Sequence, residues 1–308
     1  MSGPGDGYND SHRAFLQAFM SRSTMTLEEA KPVLAAIFTV SEGREVLPGD
    51  ITQTDLNTYI AATNTAISAF DLEIRSTAHQ TQQTRVYALI NTTSDPLMQL
   101  ATTYTADEIA YVKRLLNAMF ESNNTSRCEA MVVSSIEAVR LARTVTSSNA
   151  NRRQSEATSQ GGVAQPLSMK DAEDMLRRLV AEGWLERSRQ SYYSLSPRAL
   201  MELRGWLVET YNDEDDINEG TPRNDKIKMC FACKEIITVG QRCPNRQCSG
   251  RLHQNCIRNF FRLQQAEVCP VCKTSWTGDC FVGERAITSQ QPQGRSRPSA
   301  ARAAEDED

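Results

Sequence analysis

Eight of the nine cysteines in this chain lie between Cys230 and Cys280, and the ninth, Cys128, stands alone ahead of them. No other feature constrains the fold as strongly. With one histidine, the ligand-type residues run Cys230, Cys233, Cys243, Cys248, His253, Cys256, Cys269, Cys272: CxxC, nine residues, CxxxxC, four residues, HxxC, twelve residues, CxxC. Zinc takes four nitrogen or sulfur ligands in a tetrahedron, and closed sites of this kind are structural. Eight ligands therefore make two zinc ions the expected cofactors. A CxxC turn suits one ion, because the chain curls back with its amides facing both sulfurs. A segment this short has little hydrophobic core, so metal must supply much of its folding free energy. Spacing alone allows two stacked fingers or an interleaved arrangement. Interleaving, in which pairs one and three share an ion and pairs two and four share the other, staples both ends of the segment together.

The opening MSGPGDGYND has neither a basic n-region nor an apolar h-region, so no secretory signal is expected. Clustered cysteines without such a signal point to a reducing compartment and metal rather than disulfides. The longest apolar run, Val33 to Phe38, is far shorter than the roughly 20 residues a membrane span needs. Net charge is −4, from 34 basic and 38 acidic residues, so no overall basic excess advertises nucleic acid.

The chain's 308 residues leave room for more than the zinc segment. A first module is expected over 10–91. Phe15, Leu16, Phe19 and Met20 share a helical face. Thr26 and Glu29 form a capping box before Val33, Leu34 and Ile37. A third helix from about Thr54 carries Leu56, Tyr59, Ile60, Thr63 and Ile67. The period then falls to two at Leu72 and Ile74 and at Val86, Ala88 and Ile90, a hairpin around the polar stretch Thr77 to Thr84. A second module, 103–211, repeats the order. Thr105 and Glu108 make a capping box for Ile109, Val112, Leu116 and Met119, and a helix is expected from about Glu129 to Ala142. A Ser/Asn/Gln/Gly-rich insertion over 144–165 is expected to be flexible. Ala172, Met175, Leu176, Leu179 and Val180 mark the third helix, stopped at Gly183. Short strands follow at Trp184–Glu186 and Tyr192–Leu195, then a helix led by Ser196-Pro197 through Leu200, Leu203 and Leu207. Three helices and a hairpin, twice, is the order of tandem winged helices; one larger mixed α+β domain is the alternative. Residues 212–228 read as a solvated acidic linker, 229–282 as the zinc domain, and 1–9 and 283–308 as disordered ends.

The zinc segment resembles a variant RING domain: four cysteines, a histidine, then three cysteines ending in Cys269-Pro270-Val271-Cys272. PHD fingers share the ligand order but usually place a Trp two residues before the seventh ligand, where this chain has Glu267. The tandem modules, acidic linker, Trp276 shortly after the last ligand, and the stretch Ser11 to Met20 resemble the non-SMC element 1 family, over about residues 10–282. That family is the RING subunit of the SMC five/six chromosome-maintenance and DNA-repair complex. The fold class implied is α+β, with tandem winged helices followed by a two-zinc cross-brace. Cys230, Cys233, His253 and Cys256 would hold one ion, and Cys243, Cys248, Cys269 and Cys272 the other. The resemblance also implies a nuclear location and, as partners, a MAGE-type subunit, a kleisin, the SMC five/six heterodimer and a ubiquitin-conjugating enzyme.

Such a ligase forms no covalent intermediate; it works by positioning. A typical RING meets the conjugating enzyme through a bulky aliphatic residue before its second ligand, an apolar residue in its second loop and a cation after its last ligand. Here those places hold Ala232, then Phe260, Phe261 or Leu263, then Lys273, with Pro270 inside the last CxxC. Ala232 is small, and Ile236 and Ile237 are candidates to compensate. Weak, partner-dependent activity is expected. A non-catalytic scaffold and a PHD-like chromatin reader are the other classes. Winged helices often read DNA with their third helix, but the first module's third helix has no Lys or Arg. In 168–190 of the second module five basic residues face five acidic ones. Direct DNA binding is expected to be weak or absent. The segment from Cys230 to Cys280 carries net +4, ordinarily a solvated face. Cys128 is expected in a core, Cys280 as a free thiol, and His12 and His79 in surface or capping roles.

Overall fold

The fold was analysed in a computed structural model that describes residues 8–92, 103–143, 165–212 and 225–289. Most of the stretches expected to be disordered, flexible or linking lie outside those residues.

The first module is built as α1 (Asp10–Arg22), β1 (Thr24–Thr26), α2 (Leu27–Glu42), α3 (Gln53–Ile67), β2 (Leu72–Ala78) and β3 (Arg85–Asn91). Each helix begins on a side-chain cap. Asn9 accepts the amides of Ser11 and His12, Thr26 and Glu29 form the capping box, and Thr52 and Asp55 form another. The sheet order is β1-β3-β2, antiparallel, with Met25 opposite Tyr87 and Ile74 opposite Leu89. β1 has no sequence signature, since three residues are too few to show alternation. Pairing with β3 makes it a strand. Phe15, Phe19, Leu34, Leu56, Ile67, Ile74 and Tyr87 fill the core. Met20, expected on the buried face, is 68% exposed.

The second module runs α4 (Ala106–Asn117), β4 (Val133–Ser134), α5 (Ser135–Leu141), α6 (Met169–Ala181), β5 (Leu185–Arg187) and β6 (Tyr192–Leu195), then α7 (Pro197–Glu202) and α8 (Arg204–Tyr211). Its sheet order is β4-β6-β5. Gly183, at φ +75°, closes α6 with its amide on the Val180 carbonyl. Two expectations are corrected. The helix expected from Glu129 starts at Ser135, because the β-branched Val132-Val133 leads into β4 and Ser134 then caps the helix through the Glu137 amide. The single helix expected after Pro197 is two, parted at Leu203.

The third module holds β7 (Gly240–Arg242), β8 (Arg251–Leu252), α9 (Gln254–Gln264), β9 (Phe281–Val282) and α10 (Arg285–Thr288), with sheet order β8-β7-β9. Helix α10, with Ala286 buried, occupies part of the tail expected to be disordered. The end of the expected linker is likewise packed: Ile227 is buried, and its backbone exchanges hydrogen bonds with the Asn212 side chain.

No module stands apart. Ile227, Ile236 and Val282 lie in the core of the second module; burying each contributes roughly 1.5–3 kcal/mol. Ala88 and Ile90 of the first module pack on Met201 of α7. No described helix is long and apolar enough to cross a membrane.

Candidate metal centre

Two turns of like geometry begin the site. In 230–235 the Lys234 amide donates to the Cys230 carbonyl (2.9 Å) and the Cys230 amide to the Glu235 carbonyl (2.8 Å). In 269–274 the Lys273 amide donates to the Cys269 carbonyl (3.0 Å) and the Cys269 amide to the Thr274 carbonyl (2.8 Å). Lys234 and Lys273 both sit in the left-handed region, at φ 63° and 62°. That reversal is what aims both sulfurs of a CxxC at one point.

The interleaved grouping is the one the structure takes. Cys230, Cys233, His253 and Cys256 place their ligand atoms within 4.8 Å of one another, and so do Cys243, Cys248, Cys269 and Cys272. In the second cluster the Cys243–Cys272 and Cys248–Cys269 sulfurs are 3.5 Å apart, close to the edge of about 3.8 Å in a tetrahedron with Zn–S near 2.3 Å. In the first, Nδ1 of His253 lies 3.2 Å from Cys233 Sγ. Nε2 lies 3.2 Å from the Ile236 carbonyl. That leaves Nδ1 free to ligate while Nε2–H donates outward, the usual arrangement of a metal-bound imidazole. The thiols themselves call for a cation. Cys230 is held well below the usual thiol range, first by its hydrogen bond with Cys233, against its own burial. Burial and neighbouring Cys230 push Cys256 up to about 11. Crowded thiols cannot all ionise unless a divalent ion neutralises them. The residues thus fit two zinc ions.

Gly250 makes the second cluster possible. A Cβ there would lie 2.6 Å from Cys269 Sγ and 3.4 Å from Cys248 Sγ. Next to it is a group that sequence reasoning did not single out. Glu129, 2% exposed, accepts from Arg251 through both oxygens, Nε to Oε2 at 2.7 Å and Nη2 to Oε1 at 2.5 Å. Lys228 Nζ lies 2.8 Å and Arg242 Nη1 3.6 Å from Oε1. Burial alone would raise the Glu129 carboxyl; Arg251 and Lys228 overcome it and hold it down at about 2. Three cations around one carboxylate leave a buried positive excess. Arg251 also donates to the carbonyls of Cys248 and Gly250 (2.7 and 2.8 Å), beside the four-thiolate cluster, whose formal charge with zinc is about −2. The two excesses offset each other.

The residues expected at a conjugating-enzyme surface divide. Ala232, Leu263 and Lys273 are exposed, Leu263 at 81%, and Pro270 is partly so. Ile236 is buried in the second module's core, and Ile237 is buried too, so neither compensates for Ala232. Phe261 is buried with its ring edge-on to Trp276, whose Nε1 donates to Gln241 Oε1 at 2.8 Å. Phe231, not anticipated, is partly exposed against Phe260 and beneath Lys234 Nζ. Of the other residues, His12 belongs to the α1 cap, while His79 is buried against Glu186 of β5, Nε2 to Oε1 at 2.9 Å. Cys128 is half-buried near the Ala286 carbonyl, and Cys280 is half-buried beside Asp279.

An interleaved pair of four-ligand clusters around a short sheet and one helix defines a RING-like zinc protein, and the RING-like domain family matches residues 230–272. The family described as Nse1 non-SMC component of SMC5-6 complex matches residues 12–203, and the chain belongs to it. The Bos taurus non-structural maintenance of chromosomes element 1 homolog is 20% identical over 296 residues, covering 95% of each chain. The Xenopus laevis homolog is 24% identical over 271 residues, 88% of this chain and 84% of that one. The Schizosaccharomyces pombe protein is 22% identical over 279 residues, 90% and 97%. A chain from a solved structure of an Nse1-Nse3-Nse4 complex shares the fold at TM-score 0.66 and 21% identity, covering 90% of this chain and 99% of that one.

Proposed function

We propose that this chain is the RING-type ubiquitin-ligase subunit of an SMC five/six chromosome-maintenance and DNA-repair complex in the nucleus. Its two N-terminal modules act as winged-helix domains that dock protein. Its partners there are a MAGE-type subunit and a kleisin, counterparts of the Nse3 and Nse4 that accompany the similar chain in its solved complex, together with the SMC five/six heterodimer. The ligase reading rests on one observation: a RING-like module, packed against the other two, leaves Ala232, Leu263 and Lys273 open to a conjugating enzyme. Catalysis would be positional, with no residue acting as a nucleophile.

The same surface argues for weak activity alone. Ile236 and Phe261 face inward, and Ala232 offers little area. The test is discharge of a ubiquitin-charged conjugating enzyme by the full chain, with and without the MAGE-type partner. Slow discharge alone, faster with partner and lost in Leu263→Asp, is expected. No discharge under either condition would leave the scaffold reading, which the inward Ile236 and Phe261 favour. A PHD-like reader has less support, since Glu267 stands where the aromatic residue belongs. Helix α3 has no basic side chain to meet phosphate, so filter binding of duplex DNA should be weak.

A further inference from the structure

The loop between β2 and β3 of the first module reaches the first metal cluster. The Gln80 side chain closes a clasp on the backbone of 236–239. Its Oε1 accepts from the amides of Thr238 (3.0 Å) and Val239 (2.8 Å). Its Nε2 donates to the Ile236 carbonyl at 2.9 Å. That carbonyl is also the acceptor for His253 Nε2–H. Asn255 Nδ2, on α9, donates to the carbonyls of His79 and Gln82 and seats the loop from the other side.

The geometry points to Gln80 as a positioning residue for the zinc site of Cys230, Cys233, His253 and Cys256. A ligating imidazole is held in tautomer and orientation by the acceptor of its other N–H. Here the acceptor is a backbone carbonyl in a segment paired only by a single antiparallel bridge, Ile236 to Met229, whose hydrogen bonds leave the Ile236 oxygen itself unused. The Ile237 amide holds one end of that peptide on the Lys228 carbonyl; Gln80 holds the oxygen end. Without Gln80 the oxygen turns more freely, and His253 Nε2–H, in a buried site, loses a fixed acceptor. Metal retention at one of two sites would then depend on a residue far away in sequence, in a different module. Nothing in this depends on ubiquitin transfer; it rests on the two-zinc architecture alone.

The test uses the full chain loaded with cobalt, challenged with a chelator. Cobalt reports the histidine-containing site and the all-cysteine site at different absorption energies. In Gln80→Ala the band of the histidine-containing site should decay a few-fold to about 10-fold faster, the low end for outer partners of metal ligands. The band of the all-cysteine site should be unchanged. Gln80→Glu keeps the acceptor for Thr238 and Val239 but loses the donor to Ile236, and should behave like Gln80→Ala. Equal acceleration of both bands, no acceleration in Gln80→Ala, or wild-type release in Gln80→Glu would each overturn the assignment.

Discussion

The two metal clusters share a turn and differ in everything around it. Each is half built from a CxxC turn with a left-handed lysine behind it. The histidine-containing cluster leans on both N-terminal modules: Ile236 enters the second module's core and Gln80 arrives from the first. The all-cysteine cluster is bound to the second module by charge, through Arg251 and Glu129. On its other side, Lys273 to Ser275 are exposed. Zinc chemistry thus dictates the turn, and the long-range packing dictates how each site answers to the rest of the molecule.

Removing the metal should have the largest effect. Structural zinc binding is worth about 10–16 kcal/mol in small metal-folded peptides, more than any side chain here. After chelation, hydrogen exchange should rise across 230–282. It should also rise at Gly283, whose amide donates to the Glu129 carbonyl, while α1 to α3 keep their protection. A zinc module that stays protected without metal would break the comparison at its root.

Next comes Glu129→Gln, which strands two buried arginines and the partly buried Lys228 and should cost about 3–5 kcal/mol by chemical denaturation. The pH dependence carries a sign. The folded carboxyl, at about 2, lies below its ordinary value of 4.5. Its contribution is therefore complete above about pH 4.5 and fades as pH falls toward 2. The gap between wild type and variant should be flat from about pH 8 to 5 and shrink below. A gap under about 1 kcal/mol at neutral pH would mean that charge does not bind the all-cysteine side to the second module.

Much of this was legible locally. The capping boxes at Thr26 and Thr105, the stripe of α6, and the eight ligand residues each announce themselves within a few positions. Spacing left the grouping of those ligands open, and the folded chain resolves it. Glu129 was not legible, because its partners lie 99 to 122 residues away and no local pattern marks a carboxylate for burial. Gln80 is a polar loop residue like its neighbours until Ile236 is brought to it. Strands β1 and β4 exist only through pairing. The burial of Phe261 did have a signal: Ile257, Phe260 and Phe261 stand at i, i+3 and i+4 on α9, an inward stripe that leaves Leu263 outside.

Gly250→Ala separates the clusters by steric means. The added methyl meets Cys269 Sγ at 2.6 Å, too close for both to stay. Zinc titration should show one tight equivalent and a second weakened about 10- to 100-fold, a range seen when a metal's immediate surroundings are altered. Two equally tight equivalents would show that the all-cysteine site yields more easily than its packing implies.

The smallest effect compares the two turns directly. A non-glycine residue in the left-handed region costs about 1–2 kcal/mol, and glycine returns part of that through the entropy of the unfolded chain. Lys273→Gly gives up an exposed hydrogen bond from Nζ to the Pro270 carbonyl, so it should stabilise by up to about 1 kcal/mol. Lys234→Gly relieves the same strain but loses the ammonium over the Phe231 ring at 4.1 Å, worth about 0.5–1 kcal/mol at an exposed site; the net change should lie near zero. Thermal melts of the zinc-loaded chain should rank Lys273→Gly above Lys234→Gly. The reverse order would mean that the turn of the all-cysteine cluster depends on its lysine more than the other turn does, contrary to what the exposed Lys273 suggests.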